Sequence, residues 1–234
     1  MNSRSTTVSN KIIVALDVRG KEDALALVRE LVGEISFFKI GLQLYTTAGP
    51  EIVRSVLAEG AKVFLDLKLH DIPNTVARAV ESASELNVEM LTIHLSGGEE
   101  MVRAAVAARN NNLSILGVTV LTSTDENTLH QIGVQSSVNE QVGRLAKIGA
   151  AAGVNGFVAS PHEIATLRTE FGEKIKIVTP GVRPRGSEVG DQKRVMTPRE
   201  ALDAGADYLV IGRPITANPD PRAAVARILE ELEP

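Results

Sequence analysis

Short apolar runs alternate with stretches of helical spacing from residue 12 onward. Residues 12–17, 37–41, 63–68, 90–95, 115–121, 157–159, 176–179 and 208–211 read as buried strands. Between them, 21–32, 50–59, 73–86, 99–109, a longer stretch ending near Ala152, 161–171, 198–204 and 222–232 carry apolar residues at helical spacing. Helix starts support this division. Ser160-Pro161-His162-Glu163 and Thr197-Pro198-Arg199-Glu200 each combine a hydroxyl cap, proline in the first turn and glutamate three residues on. Gly60, Gly153 and Gly205 stand where helices would stop. Eight strand–helix units with short connections and no shift in composition imply one α/β domain, a (β/α)8 TIM barrel over residues 12–234, preceded by a flexible tail over 1–11. An open doubly wound sheet is the alternative. No GxGxxG or Walker-type glycine loop follows any strand, which counts against it.

The third strand carries a conflict. Val63, Leu65, Leu67 and Leu69 alternate with Phe64, Asp66, Lys68 and His70, so packing the first set under helices points the second set inward. Charges on a buried face cost several kcal/mol each unless they are paired or used. Active sites of such barrels lie at the carboxyl ends of the strands, and the polar residues gather there. Asp17, Lys39, Asp66 with Lys68, His94, Thr122 with Ser123, and Arg213 each follow apolar residues that would fill the lower barrel. Asp17, Lys39, Asp66 and Lys68 can therefore form an alternating acid–base array. A structural ion network closing the barrel top would give the same pattern, but a neighbouring anion site favours catalysis. Asp71 fits an N-cap of the next helix as well as a catalytic role. His94 reads as a hydrogen-bonded structural histidine. His70, His130 and His162 lack ligand spacing, so no metal site is expected.

The anion site is Gly212-Arg213-Pro214, after the last strand and before a stretch able to form an extra helical turn. Backbone N–H groups there, with a bidentate arginine, suit phosphate. The loop 181–195 is long, polar and glycine-punctuated, and reads as a lid that brings Arg183 and Gln192 to phosphate.

Composition narrows the classes. Hydrophobic residues are 44% of the 234, enough for one sizeable core, yet aromatics are 3% and Trp is absent, so Ala, Val, Ile and Leu must build it. A net charge of −4 gives no general attraction to nucleic acid or an anionic membrane. With no cysteine, disulfides, thiolate nucleophiles and Cys-based metal sites are excluded, which fits a reducing, cytoplasmic setting. Residues 1–10 are polar and read as neither signal peptide nor anchor. No segment approaches the roughly 18 apolar residues of a membrane span.

Together these residues resemble the bacterial-type orotidine 5′-phosphate decarboxylases. The central motif, Asp-x-Lys-x-x-Asp followed by Ile-Pro-Asn-Thr, is complete as Asp66, Lys68, Asp71, Ile72, Pro73, Asn74 and Thr75. Around it stand Ala15-Leu16-Asp17, Phe38-Lys39-Ile40-Gly41, Leu121-Thr122-Ser123, Thr179-Pro180-Gly181-Val182-Arg183-Pro184 and Ile211-Gly212-Arg213-Pro214. The resemblance implies decarboxylation of orotidine 5′-phosphate to UMP and CO₂, the last step of de novo pyrimidine synthesis, without metal or organic cofactor. It makes Lys68 the group that protonates C6, flanked by Asp66 and Asp71. Lys39 and Asp17 would complete the array and bind ribose hydroxyls. Thr122, Ser123 and Pro180 would contact the substrate around its base, and Arg183, Gln192, Gly212 and Arg213 would hold phosphate. It also implies a homodimer in which Asp71 and Thr75 reach the neighbouring site. The rivals are a Mg²⁺-dependent sugar-phosphate decarboxylase or synthase of the same superfamily, whose members carry an acid where this chain has Lys39, and a non-catalytic nucleotide-binding barrel.

Overall fold

A computed structural model of the chain describes residues 8–110, 112–185 and 195–232. Its strands are β1 (Ile12–Ala15), β2 (Phe37–Gly41), β3 (Lys62–Leu69), β4 (Met90–His94), β5 (Ser114–Val118), β6 (Gly156–Val158), β7 (Lys176–Thr179) and β8 (Tyr208–Ile211). They pair in sequence order, all parallel, and β8 closes on β1 through Ile12↔Leu209, Ile13↔Val210 and Val14↔Ile211. The helices are α1 (Lys21–Leu31), α2 (Leu42–Ala48), α3 (Glu51–Ala58), α4 (Pro73–Glu85), α5 (Gly98–Ala108), α6 (Glu126–Gln131), α7 (Val138–Ala152), α8 (Ile164–Phe171), α9 (Pro198–Asp203), α10 (Arg213–Thr216) and α11 (Pro221–Leu232). The expected TIM barrel is present. No helix among the described residues is long and apolar enough to cross a membrane.

Strand parity divides the core in two. Ile13, Ala15, Phe37, Phe64, Met90 and Leu116 point into the barrel with Val178 and Val210, and form a closed interior plug. Their neighbours of opposite parity, such as Val14, Phe38, Ile40, Val63 and Leu65, pack outward against the helices. Each large side chain so buried contributes roughly 1.5–3 kcal/mol. Phe37 and Tyr208 meet edge to face at 5.9 Å at the lower end of the plug. At β6 the wall is so close that a Cβ on Gly156 would stand 2.5 Å from the Lys176 carbonyl oxygen, so no side chain fits there.

Several boundaries differ from expectation. β1 ends at Ala15 and β5 at Val118, which leaves Asp17 and Thr122 on the loops beyond, although Leu16 N–H still donates to the Lys39 carbonyl at 2.9 Å. α2 was not expected: it is short, starts directly after β2 and stops at Gly49, which takes φ 63°. The long helical stretch after β5 is two helices. Asp125 caps α6 by accepting from Thr128 N–H at 3.0 Å, and Ser137 with Glu140 forms a capping box at α7. Of the two anticipated boxes, Thr197 and Glu200 cap α9 as expected. Ser160 N–H donates to Glu163 at 2.8 Å, but a 3-10 turn, Pro161–Glu163, intervenes before α8. The extra turn after β8 is α10. The expected tail over 1–11 lies largely outside the described residues; Val8 packs on the core and its carbonyl accepts from Lys11 N–H.

Candidate active site

The site is built where β3 stops matching β4. Leu65 pairs with Leu91, but the next pair is Leu69 with Ile93, so β3 carries two residues more than its neighbour over this step. Lys68 lies inside that irregularity at φ 50°, a left-handed conformation costing a non-glycine residue about 1–2 kcal/mol. Its N–H finds no ladder partner and donates instead to Thr92 Oγ1 at 2.8 Å. Thr92 Oγ1 donates to Asp66 Oδ1 at 2.9 Å. The bulge directs Asp66 and Lys68 to the top of the barrel, above the plug. His70, expected on the same inward row, lies past the strand end and is exposed.

The four charges alternate as the sequence suggested. Lys68 Nζ donates to both oxygens of Asp66 at 2.8 Å. Lys39 Nζ lies 3.6 Å from Asp66 Oδ2 and 3.0 Å from Asp17 Oδ1. Burial opposes the charge on Asp66, yet the ammonium groups of Lys39 and Lys68, with hydrogen bonds from Lys68 and Thr92, hold its carboxyl below the ordinary 3.8. Gly41 makes room for this arrangement: a Cβ there would stand 2.8 Å from Lys39 Nζ and 3.4 Å from Asp17 Oδ1.

A cavity of about 410 Å³ opens over the array, within the usual range for small-molecule sites. Asp17, Lys39, Asp66, Lys68, Thr122, Pro180, Arg183, Gly212 and Arg213 line it, as expected. Arg183 and Arg213 stand close enough that burial first, and then the Arg213 charge, make the Arg183 guanidinium less basic than usual. An anion between them would relieve that repulsion. Arg183 N–H donates to the Met196 carbonyl at 2.9 Å, which ties this end of the 181–195 loop down.

Other expected site residues lie elsewhere. Ser123 is exposed beside Thr122 and does not line the cavity. Gln192 is outside the described residues. Asp71 and Thr75 are exposed at the start of α4 and are absent from the cavity wall. Asp71 is not the N-cap: Ile72 holds that position in extended conformation, and Asp71 Oδ1 accepts from Ile72 N–H at 2.7 Å. His94 is also off the wall. Burial, then His70 and Lys68, push its pKa below 6.5 against the pull of Asp66, and its ring lies 5.5 Å from that of His70.

Residues not anticipated at the site are chiefly its apolar walls: Phe64, Val118, Val158 and Val210, with Ser160 beside them. Strand parity already placed Phe64 inward. Nothing in the sequence singled out Thr92 or the space left by Gly41, because both act through contacts between strands.

Known proteins share this sequence and this fold. Residues 10–228 match the orotidine 5′-phosphate decarboxylase / HUMPS family. The protein named orotidine 5′-phosphate decarboxylase from Opitutus terrae is 50% identical over 225 residues, covering 95% of this chain and 98% of the relative. That from Syntrophotalea carbinolica is 47% identical over 230 residues, covering 95% and 94%. The crystal structure of orotidine 5′-phosphate decarboxylase from Lactobacillus acidophilus superposes with a TM-score of 0.84 at 33% identity, over 96% of this chain and all of that one. With the match running through every strand that carries the array, the chain belongs to the orotidine 5′-phosphate decarboxylase / HUMPS family.

Proposed function

We propose that this chain catalyses the reaction for which those relatives are named, converting orotidine 5′-phosphate to UMP and CO₂ with its own side chains and no metal or organic cofactor. The observation that carries the reading is the Asp17–Lys39–Asp66–Lys68 array, set in one cavity with Arg183 and Arg213. When the C6–carboxylate bond breaks, CO₂ departs and the electron pair stays on C6, in the plane of the ring. No adjacent carbonyl or imine can delocalise it, so fixed charge must stabilise it. Lys68 supplies that charge and then its proton to C6, and solvent restores the proton on Nζ. Asp66 keeps Lys68 aimed and faces the substrate carboxylate. Lys39 and Asp17 bind ribose hydroxyls, Thr122, Ser123 and Pro180 hold the base, and Arg183, Gln192, Gly212 and Arg213 grip phosphate. Binding energy from phosphate, remote from the reacting bond, then supports the chemistry at C6.

The family also contains the sugar-phosphate branch. Against that reading, the Lys39 ammonium is inserted between Asp17 and Asp66, where it repels the cation those enzymes need. Asp71 and Thr75 enter as residues lent to a second copy in a homodimer. In support, they lie outside the cavity of their own chain beside Ile72, a large apolar side chain left 67% exposed. The cytoplasmic setting expected from the cysteine-free composition belongs to the same reading. The test is loss of orotidylate absorbance for the parent and Lys68→Ala, with and without EDTA. We expect metal-independent turnover that nearly vanishes in Lys68→Ala while UMP still binds. Activity lost in EDTA and regained with Mg²⁺, or unchanged turnover in Lys68→Ala, would overturn the assignment.

A further inference from the structure

Thr92 is a fully buried polar residue on β4, and both hydrogen-bonding functions of its hydroxyl are committed to β3. The directions of these bonds are fixed by chemistry. A backbone N–H can only donate, so Thr92 Oγ1 accepts from Lys68 at 2.8 Å. An ionised carboxylate can only accept, so the hydroxyl proton goes to Asp66 Oδ1 at 2.9 Å. One oxygen thus links the backbone of the proposed proton donor to the carboxylate that both lysines share. It does so at the step where the β3–β4 ladder is broken and Lys68 takes φ 50°.

We propose that Thr92 is a positioning residue for the decarboxylation: its hydroxyl holds Lys68 in the left-handed conformation and fixes the rotation of the Asp66 carboxylate between Lys39 and Lys68. The inference rests on the reading of Lys68 as proton donor. Without the hydroxyl, the Lys68 N–H and one Asp66 oxygen would be left without these partners in a buried place, and the strained residue would be free to relax. Relaxation moves Nζ along its reach toward C6, and displacement of a reacting group by about 1 Å costs on the order of 10²-fold in rate. Phosphate and base contacts come from other strands and would persist.

The experiment compares Thr92→Val, which keeps the shape and removes the hydroxyl, with Thr92→Ser, which keeps the hydroxyl. Thr119→Val is the control, since Thr119 is a buried hydroxyl just past the next strand that, among the described residues, bonds the Val158 carbonyl and no part of β3. We expect Thr92→Val to lower kcat by about 10- to 100-fold, the loss of one hydrogen bond to a charged group. UMP affinity by calorimetry stays within about threefold, as expected of a step that acts in the transition state. The acid limb of the kcat profile moves to higher pH, because ionised Asp66 loses a donor. Thr92→Ser recovers most of the rate, and Thr119→Val retains it. Should Thr92→Val not fold, Thr92→Ala is read in its place. The inference is overturned if Thr92→Val keeps kcat within about threefold, if Thr92→Ser falls as far as Thr92→Val, or if Thr119→Val falls equally. Lys68→Ala assayed alongside separates the two claims: activity retained there removes the mechanism itself, whereas an inactive Lys68→Ala with an unaffected Thr92→Val removes only the role of Thr92.

Discussion

Asp66→Asn keeps the shape of the side chain and removes the one charge that Lys39 and Lys68 share. In the structure Asp66 lies 2.8 Å from Lys68 Nζ and 3.6 Å from Lys39 Nζ, with only a small part of its side chain exposed. At an effective dielectric of about 20 these attractions are about 6 and about 5 kcal/mol before solvation is counted. Desolvation of the carboxylate and of the lysines consumes much of that. Removing one partner of a buried pair nonetheless costs about 3–5 kcal/mol, because the other charges remain. Two ammonium groups would then face each other across a neutral amide, and Lys68 would lose its anchor at the reacting carbon. If this cost falls on the transition state, kcat drops by about 10²- to 10⁴-fold. The fold should survive, since the interior plug lies below the array. Orotidylate absorbance gives the rate, calorimetry the UMP affinity, and circular dichroism the melting temperature. Turnover of Asp66→Asn within about tenfold of the parent, with Lys68→Ala inactive, would refute the view that Asp66 organises both lysines.

Three further outcomes follow from the geometry. Gly41→Ala places a methyl 2.8 Å from Lys39 Nζ at an extended backbone that alanine accepts, so turnover should fall by about tenfold with little change in melting temperature; a drop in stability with the rate per folded molecule intact would contradict it. If Asp71 serves the neighbouring subunit, inactive Lys68→Ala and Asp71→Ala proteins mixed and exchanged should regain roughly a quarter of parental activity per mixed pool, through hybrids with one intact site; no recovery despite subunit exchange shown by native mass spectrometry would contradict it. Stability should decline with acid in two windows. His94 has a folded pKa below 6.5, so the unfolded chain takes up the proton first and stability falls as pH drops below 6.5. Asp66 has a folded pKa below 3.8, so its contribution is present above 3.8 and is lost as pH falls through the lower folded value. Thermal melts of the parent and His94→Asn between pH 8 and 5 check the first window, which should flatten in the variant.

Alternation and spacing were enough to reveal the barrel because the strands are buried on both faces and the longer helices each carry one apolar stripe. They also placed Lys39, Asp66 and Lys68 at one end, since parity is preserved along β2 and along β3 as far as Asp66. Parity cannot report where a ladder breaks. The two extra residues of β3 lie in a run that alternates without interruption, Val63 through His70, so the pattern carried the inward row to His70, which the structure leaves exposed. Asp71 was open between cap and catalyst because a carboxylate just before a proline-initiated helix satisfies the rule for capping. The helix begins one residue later than that rule needs, and Ile72 takes the cap position. Strand ends were overestimated at β1 and β5 because Leu16, Val120 and Leu121 are as apolar as the strands they follow, although Val120 and Leu121 wall the site and Leu16 covers the core.

The sign of the charge shows why composition hid the chemistry. Across its 234 residues the chain carries −4 and offers no reason to attract an anion. Among the described residues around the cavity the balance is reversed: Lys39, Lys68, Arg183 and Arg213 stand against Asp17 and Asp66. That surplus is the property a substrate with a carboxylate at one end and a phosphate at the other requires. The cations are not interchangeable, however. Burial and the Arg213 charge make the Arg183 guanidinium less basic, so a phosphate held between the two arginines, as proposed, would ease a repulsion there. Lys39 and Lys68 are already paired with Asp17 and Asp66, so on the proposed mechanism they would gain little from an intact carboxylate in the ground state. On that mechanism they would gain most when charge moves from the carboxylate to C6, toward Lys68 and away from Asp66. An array paired in advance would therefore discriminate against the bound substrate and in favour of the carbanion, as catalysis by differential binding demands.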